Sequence, residues 1–205
     1  MAPPHTRQLT GRADSTLMKA IHDALRRDLD QLLHTASHES ARARWGTFRS
    51  QLRFHLAAEQ ATMWPQVRDK LAGDPHGQAL LDALDNEHQL LGPLQVMIDD
   101  AFTMRAGPGR LCQLLARLRT RLASHLAHEE ADALPLTSQI LSARELGGIA
   151  AAIRGGHSIR HAGTTVPWAL AGTRPDVRED VLSQLPAPAR LLYQTVWLPR
   201  YTRPL

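Results

Sequence analysis

Two histidines are each followed four residues later by a glutamate, in segments that otherwise read as helix. His55 and Glu59 lie in FRSQLRFHLAAEQATMWPQV, and His125 and Glu129 lie in LLARLRTRLASHLAHEEADALPL. Four residues make about one helical turn, ~6 Å of rise, so each pair leaves one face of its helix. In both segments that face is the apolar one. The first stripe reads Trp45, Phe48, Leu52, His55, Glu59 and Met63; the second reads Leu111, Leu115, Leu118, Leu122, His125 and Glu129, with Leu136 beyond. The opposite face of the second segment carries Arg117, Arg121, Ser124, His128 and Asp132, a set suited to water. A glutamate in a core is costly unless it is paired, protonated or bound to a metal. Two of them, each one turn from an inward histidine, point to a metal.

The elements that must position these pairs follow from the same periodicity. A first helix, capped at Asp14 or Ser15, carries the inward stripe Met18, His22, Leu25, Leu29 and Leu32. A second runs from about Arg42 to Leu71, with Pro65 expected to kink or restart it. A third runs from about Gln78 to Arg105 on the stripe Leu81, Leu84, His88, Leu91, Gln95, Ile98 and Phe102, and Gly92-Pro93 predicts a kink one turn after His88. A fourth runs from about Arg110 to Leu141, interrupted at Pro135.

Side by side, these four segments form a duplication. Each half is a helix with a lone inward histidine, then a helix with the His–Glu pair, then a proline six residues after the glutamate. His22 and His55 are separated by 33 residues, His88 and His125 by 37. Two helix–helix copies predict an all-α, up-down four-helix bundle with a pseudo-twofold axis. That symmetry brings six ligands to one level of the core: His22, His55, Glu59, His88, His125 and Glu129. Nitrogen and oxygen donors without sulfur suit iron, manganese or zinc. Two imidazoles per metal and two bridging carboxylates describe a dinuclear site with metals roughly 3.5 Å apart and open positions for O2, NO, peroxide or hydroxide.

Taken singly, each feature has an ordinary explanation. A lone inward histidine is usually a satisfied core residue, and an isolated His–Glu pair on a helix is usually a surface hydrogen bond. The duplication and the shared inward face separate this set from chance among 11 histidines. His5, His34, His38, His76, His157 and His161 read as solvated, and His128 as outward-facing. Glu87 and Glu130 adjoin proposed ligands and would substitute for them if a helix were rotated.

Bulk composition narrows the classes further. The one cysteine, Cys112, excludes an intrachain disulfide, a cysteine-based zinc site and a four-cysteine iron–sulfur site. The net charge of +4 is carried almost wholly by arginine, spread along the chain and mixed with acids, so nucleic acid is not an expected partner. No apolar run approaches the roughly 18 residues a membrane helix needs. MAPPHTRQLTGRADST lacks the apolar stretch of a signal peptide, so residues 1–14 read as a flexible lead-in and the expected compartment is the cytoplasm.

Residues 15–142 resemble the hemerythrin-like HHE cation-binding domain. The residues that carry the resemblance are His22 in IHDALRRDL, His55 and Glu59 in HLAAEQATMWP, His88 in NEHQLL, and His125 and Glu129 in HLAHEEADALPL. The resemblance implies a four-helix bundle around two irons, oxo- or hydroxo-bridged, that cycle between ferrous and ferric states. His22 and His55 would hold one iron and His88 and His125 the other, with Glu59 and Glu129 bridging. The family's oxygen carriers use a second histidine one turn after that of the third helix, where this chain has Gly92. Their fourth-helix carboxylate is usually an aspartate, where this chain has Glu129. The departures point away from simple O2 carriage and toward redox chemistry, gas sensing or iron handling.

Residues 143–205 change character, to Pro-rich turns and short amphipathic helices, among them Asp176–Leu185 and Ala187–Trp197. Val166, Trp168, Leu170, Leu191, Leu192, Val196 and Trp197 are too many large apolar groups to leave in water, and are expected to pack on the bundle or meet a protein partner. Bacterial HHE proteins carry a similar PW…LP…RLLY…PRY tail. Three functions fit: a di-iron protein reacting with a small oxidant or gas, a di-iron oxygenase or oxidase with an organic substrate, and a sensor or interaction module switched by its metal. No motif names an organic substrate, so whether the chain is an oxidoreductase stays open.

Overall fold

The computed structural model describes residues 6–35, 38–155 and 159–202, and every regular element among them is helical. The chain divides into two compact units, Leu25–Ile140 and a second made of Met1–Ala24 with Leu141–Leu205. The division falls inside one continuous helix, α1 (Thr6–Leu33). That helix begins well before the expected cap at Asp14 or Ser15. No proline lies between Thr6 and Leu33, and Gly11, at about 1 kcal/mol, does not stop it.

The Leu25–Ile140 unit is a four-helix bundle. Its arms are the Leu25–Leu33 part of α1; α2 (His38–Ala58) continuing into α3 (Trp64–Lys70); α4 (Pro75–Thr103); and α5 (Pro108–His128) continuing into α6 (Leu134–Ile140). The inward stripes are those the periodicity predicts. Leu81, Leu84, His88, Leu91, Gln95, Ile98 and Phe102 are all buried along α4, and Trp45, Phe48, Leu52, His55, Glu59 and Met63 along the second arm. Trp45 stacks on Phe48 and Phe102, and its indole N–H donates to Asp99 Oδ1 at 2.8 Å, tying α2 to α4. Arg68 ties α3 to α4 through Asp82 and Asp85. Arg26 reaches Glu130 at 2.8 Å, and Arg119 pairs with Asp30, so α1 is held to the fourth arm.

Prolines interrupt the second and fourth arms in one particular way. Glu59–Met63 and Glu129–Ala133 are single π turns, and α3 and α6 start immediately after them. The N–H of Trp64 donates to the Glu59 carbonyl, and that of Leu134 to the Glu129 carbonyl, five residues back. Pro65 and Pro135 follow one residue later. In an α-helix interior each ring would strike the preceding turn, and the wider π turn gives it room. By contrast α4 continues through Pro93 as one helix.

The second unit contains α7 (Ala143–Gly155), α8 (Ile159–Leu170), α9 (Pro175–Ser183), α10 (Ala187–Leu192) and α11 (Leu198–Tyr201), with a third π turn at Tyr193–Trp197. The large apolar groups of the tail build a core of their own. Leu170, Val181, Tyr193 and Trp197 form its centre, with Leu17, Val166, Leu192 and Val196 packed on it. Leu191 lies outside this core and is exposed at 61 %. Val166 lies inside α8, and Pro167 is tolerated there beside the buried Trp168.

Candidate metal centre

Each histidine–glutamate pair sits at the junction of an α-helix and a π turn. His55 is four residues from the end of α2 and Glu59 opens its π turn; His125 and Glu129 repeat this on the fourth arm. His88 stands mid-way along α4. All five side chains face the bundle interior at 5 % exposure or less.

Their donor atoms converge in two overlapping groups. Glu59, His88 and His125 each offer a ligand atom within 4.8 Å of the others, and so do His55, Glu59 and Glu129. Glu59 is common to both. His55 Nε2 lies 3.0 Å from Glu59 Oε1, and His88 Nε2 lies 3.4 Å from Glu59 Oε2. His88 Nε2 and His125 Nε2 are 3.0 Å apart, and His125 Nε2 is 3.9 Å from Glu129 Oε2. His22 lies on the part of α1 that belongs to the other unit, two residues before the division, and is completely buried there.

The electrostatics are those of a donor set suited to a cation. Glu59 is buried with only the ring nitrogens of His55 and His88 and the second acid Glu129 around its carboxyl group, a placement that costs on the order of several kcal/mol in a protein interior if nothing offsets it. Burial, reinforced by the negative charge of Glu129, pushes the Glu59 carboxyl well above the usual carboxylate range. Burial, with the neighbouring His125, pushes His88 down to about 4, so its imidazole is neutral with a lone pair to give. Carboxylate and neutral imidazole donors without sulfur suit a borderline or hard divalent metal.

Residues 14–137 match the family model for the hemerythrin HHE cation-binding domain. The chain belongs to this family. Neither a curated protein nor a solved structure shows significant similarity to it. An HHE domain binds metal cations, and the buried His/Glu cluster is able to hold one.

The remaining candidates of this HHE chain sort clearly. His34 and His76 are exposed, and His128 is half-buried on the outer side. His161, expected in solvent, is half-buried in α8, because that helix is part of a packed unit rather than a loop. His5, His157 and the side chain of His38 lie outside the described residues. Glu87 and Glu130 do not join the donor groups. Glu130 pairs with Arg26, while Glu87 accepts from His125 Nδ1 and His128 Nδ1, both at 2.9 Å. Burial pushes the Glu87 carboxyl up, but those two hydrogen bonds outweigh it and hold it below the usual range. Gly92 is exposed, and the inward position one turn after His88 is filled by Leu91. A surface groove of about 540 Å³ between α4 and α5, lined by Leu90, Met97, Arg117 and Arg121 among others, contains none of the donors. No helix among the described residues is long and apolar enough to cross a membrane.

Proposed function

We propose that this chain is a non-haem di-iron protein that binds or reacts with a small oxidant or gas, such as O2, peroxide or NO, or that handles iron. The observation that carries the reading is Glu59, a buried acid that belongs to both donor groups. His88 and His125 would hold one iron. His55 would hold the other with His22, whose place in the duplicated pattern and complete burial support the assignment. Glu59 and Glu129 would bridge. Manganese or zinc would find the same donors acceptable.

A bound di-iron pair supplies redox chemistry toward a small oxidant or NO. The chain's own part is to hold and to exclude. His88, neutral at physiological pH, offers its lone pair without first losing a proton. Burial raises the affinity of the Glu59 carboxyl for a proton, so a dication bound there would compete with that proton. Leu52, Leu84, Leu91 and Leu122 flank the donors along their helices at 1 % exposure or less, which keeps bulk water from the centre. Donors held on packed helices favour a small ligand over a bulky substrate.

The test is metal content per chain with an absorption spectrum, on protein from iron-supplemented cells. About two irons with a near-ultraviolet oxo-bridge band is the expected result, followed by a spectral change when the ferrous protein meets O2, peroxide or NO. Protein without metal, or with one colourless zinc, overturns the reading.

A further inference from the structure

The pair of hydrogen bonds that Glu87 accepts decides which nitrogen of His125 carries the proton. A carboxylate oxygen accepts, so the ring atom facing it is an N–H. Each oxygen of Glu87 faces one ring nitrogen: Oε2 lies 2.9 Å from His125 Nδ1 and Oε1 lies 2.9 Å from His128 Nδ1. His125 Nδ1 is therefore the protonated nitrogen, and Nε2 keeps the lone pair. Nε2 is the atom that lies 3.0 Å from His88 Nε2 and 3.9 Å from Glu129 Oε2, inside the donor cluster. With the other tautomer the lone pair would point at a carboxylate, and the cluster would face a proton.

Glu87 is itself fixed. Its second oxygen accepts from His128 Nδ1 at 2.9 Å, and the far side of that ring, Nε2, lies 3.7 Å from Asp132 Oδ2. A half-exposed chain of side chains thus runs from the outer face of the fourth arm to a histidine that is 1 % exposed. The duplication does not repeat this acid: Glu87 immediately precedes His88, whereas the residue preceding His22 is Ile21, whose side chain has no acceptor.

We propose that Glu87 is a positioning residue that holds His125 with Nε2 turned to the metal, and that it acts on one of two metal positions only. The proposal rests on the di-iron reading above. Carboxylates that orient a ligating histidine raise its basicity, and removing them typically weakens metal binding by about 10–100-fold.

Two measurements test it. The first is histidine nitrogen NMR of the full-length, chelator-treated protein, which needs no metal. His125 should be protonated at Nδ1 in the wild type, and Glu87→Ala should shift its proton toward Nε2; Glu87→Gln, which retains a carbonyl acceptor, should restore the wild-type tautomer. The second is stepwise cobalt(II) titration followed by absorption. Glu87→Ala should weaken one of two binding steps by about 10–100-fold and leave the other within about threefold. The same loss should persist in a His55→Ala background and vanish in a His125→Ala background. Equal loss at both steps, or loss that survives His125→Ala, marks a merely structural role and overturns the proposal. A wild type that binds two cobalt ions with Glu87→Ala indistinguishable from it overturns the proposal alone. A wild type that binds none overturns the di-iron reading together with it.

Discussion

Among the described residues the same backbone phrase occurs three times, twice in the bundle and once in the tail. Glu59, Glu129 and Tyr193 each open a five-residue π turn, and Pro65, Pro135 and Pro199 each follow six residues after the opening. Each opening residue is buried at 3 % exposure or less. Four residues before the opening stand His55, His125 and Ala189. In the bundle the phrase delivers an acid and an imidazole to a shared centre. In the tail it delivers a tyrosine to a core of Leu170, Val181 and Trp197. The π turn and its proline are therefore a packing device that aims a side chain inward, and the chemistry comes from what is aimed.

The largest effect that tests this contrast is the loss of both bundle acids. Glu59→Ala with Glu129→Ala should take metal content from about two per chain to none, measured by elemental analysis, with the helical circular dichroism largely kept. Retention of two metals would mean that the acids do not bridge and that the bundle phrases resemble the tail phrase after all. The matched change in the tail is Tyr193→Ala. It should cost about 3–5 kcal/mol in urea unfolding, the usual range for truncating a large buried aromatic, while metal content per folded chain stays at the wild-type value. Loss of metal with Tyr193→Ala would give the tail phrase a part in the metal centre and erase the distinction.

Much of this was legible beforehand because two periodicities agree. A 3.6-residue stripe predicts which residues are buried on α4, and all seven, from Leu81 to Phe102, are. The same stripe places His55, Glu59, His88, His125 and Glu129 inside, where acids and imidazoles are out of place unless they bind something. What the stripe misses is lateral. Glu87 is on neither the inner nor the outer face; it points sideways, and only the packing of α4 on α5 brings it to His125 and His128. The available signal was a carboxylate directly before an inward histidine, which periodicity alone reads as a spare ligand. In the tail, tertiary burial of Trp168 overrides the helix-breaking tendency of Pro167, which composition cannot anticipate.

The buried acid and the buried phenol also differ in how they couple stability to pH, and this is the smallest effect expected. In the metal-free protein the folded-state pKa of Glu59 is raised. Above the unfolded carboxylate value of about 4.5, the folded state then binds more protons at this residue than the unfolded state does, so its contribution to stability falls as pH rises. His88 acts in the opposite sense: lowered to about 4 from an ordinary 6.5, it adds stability as pH rises between those values. Tyr193, raised by burial, contributes nothing until pH exceeds about 10. The stability difference between wild type and Glu59→Gln isolates the acid. Measured by urea unfolding after chelation, that difference should fall from about pH 4.5 upward by at most ~1.4 kcal/mol per pH unit. Tyr193→Phe should give a flat difference over the same range. A flat Glu59→Gln difference would mean that Glu59 ionises as freely as a surface acid. It would then impose no stability cost for a metal to relieve, and the two kinds of phrase would be alike in their electrostatics.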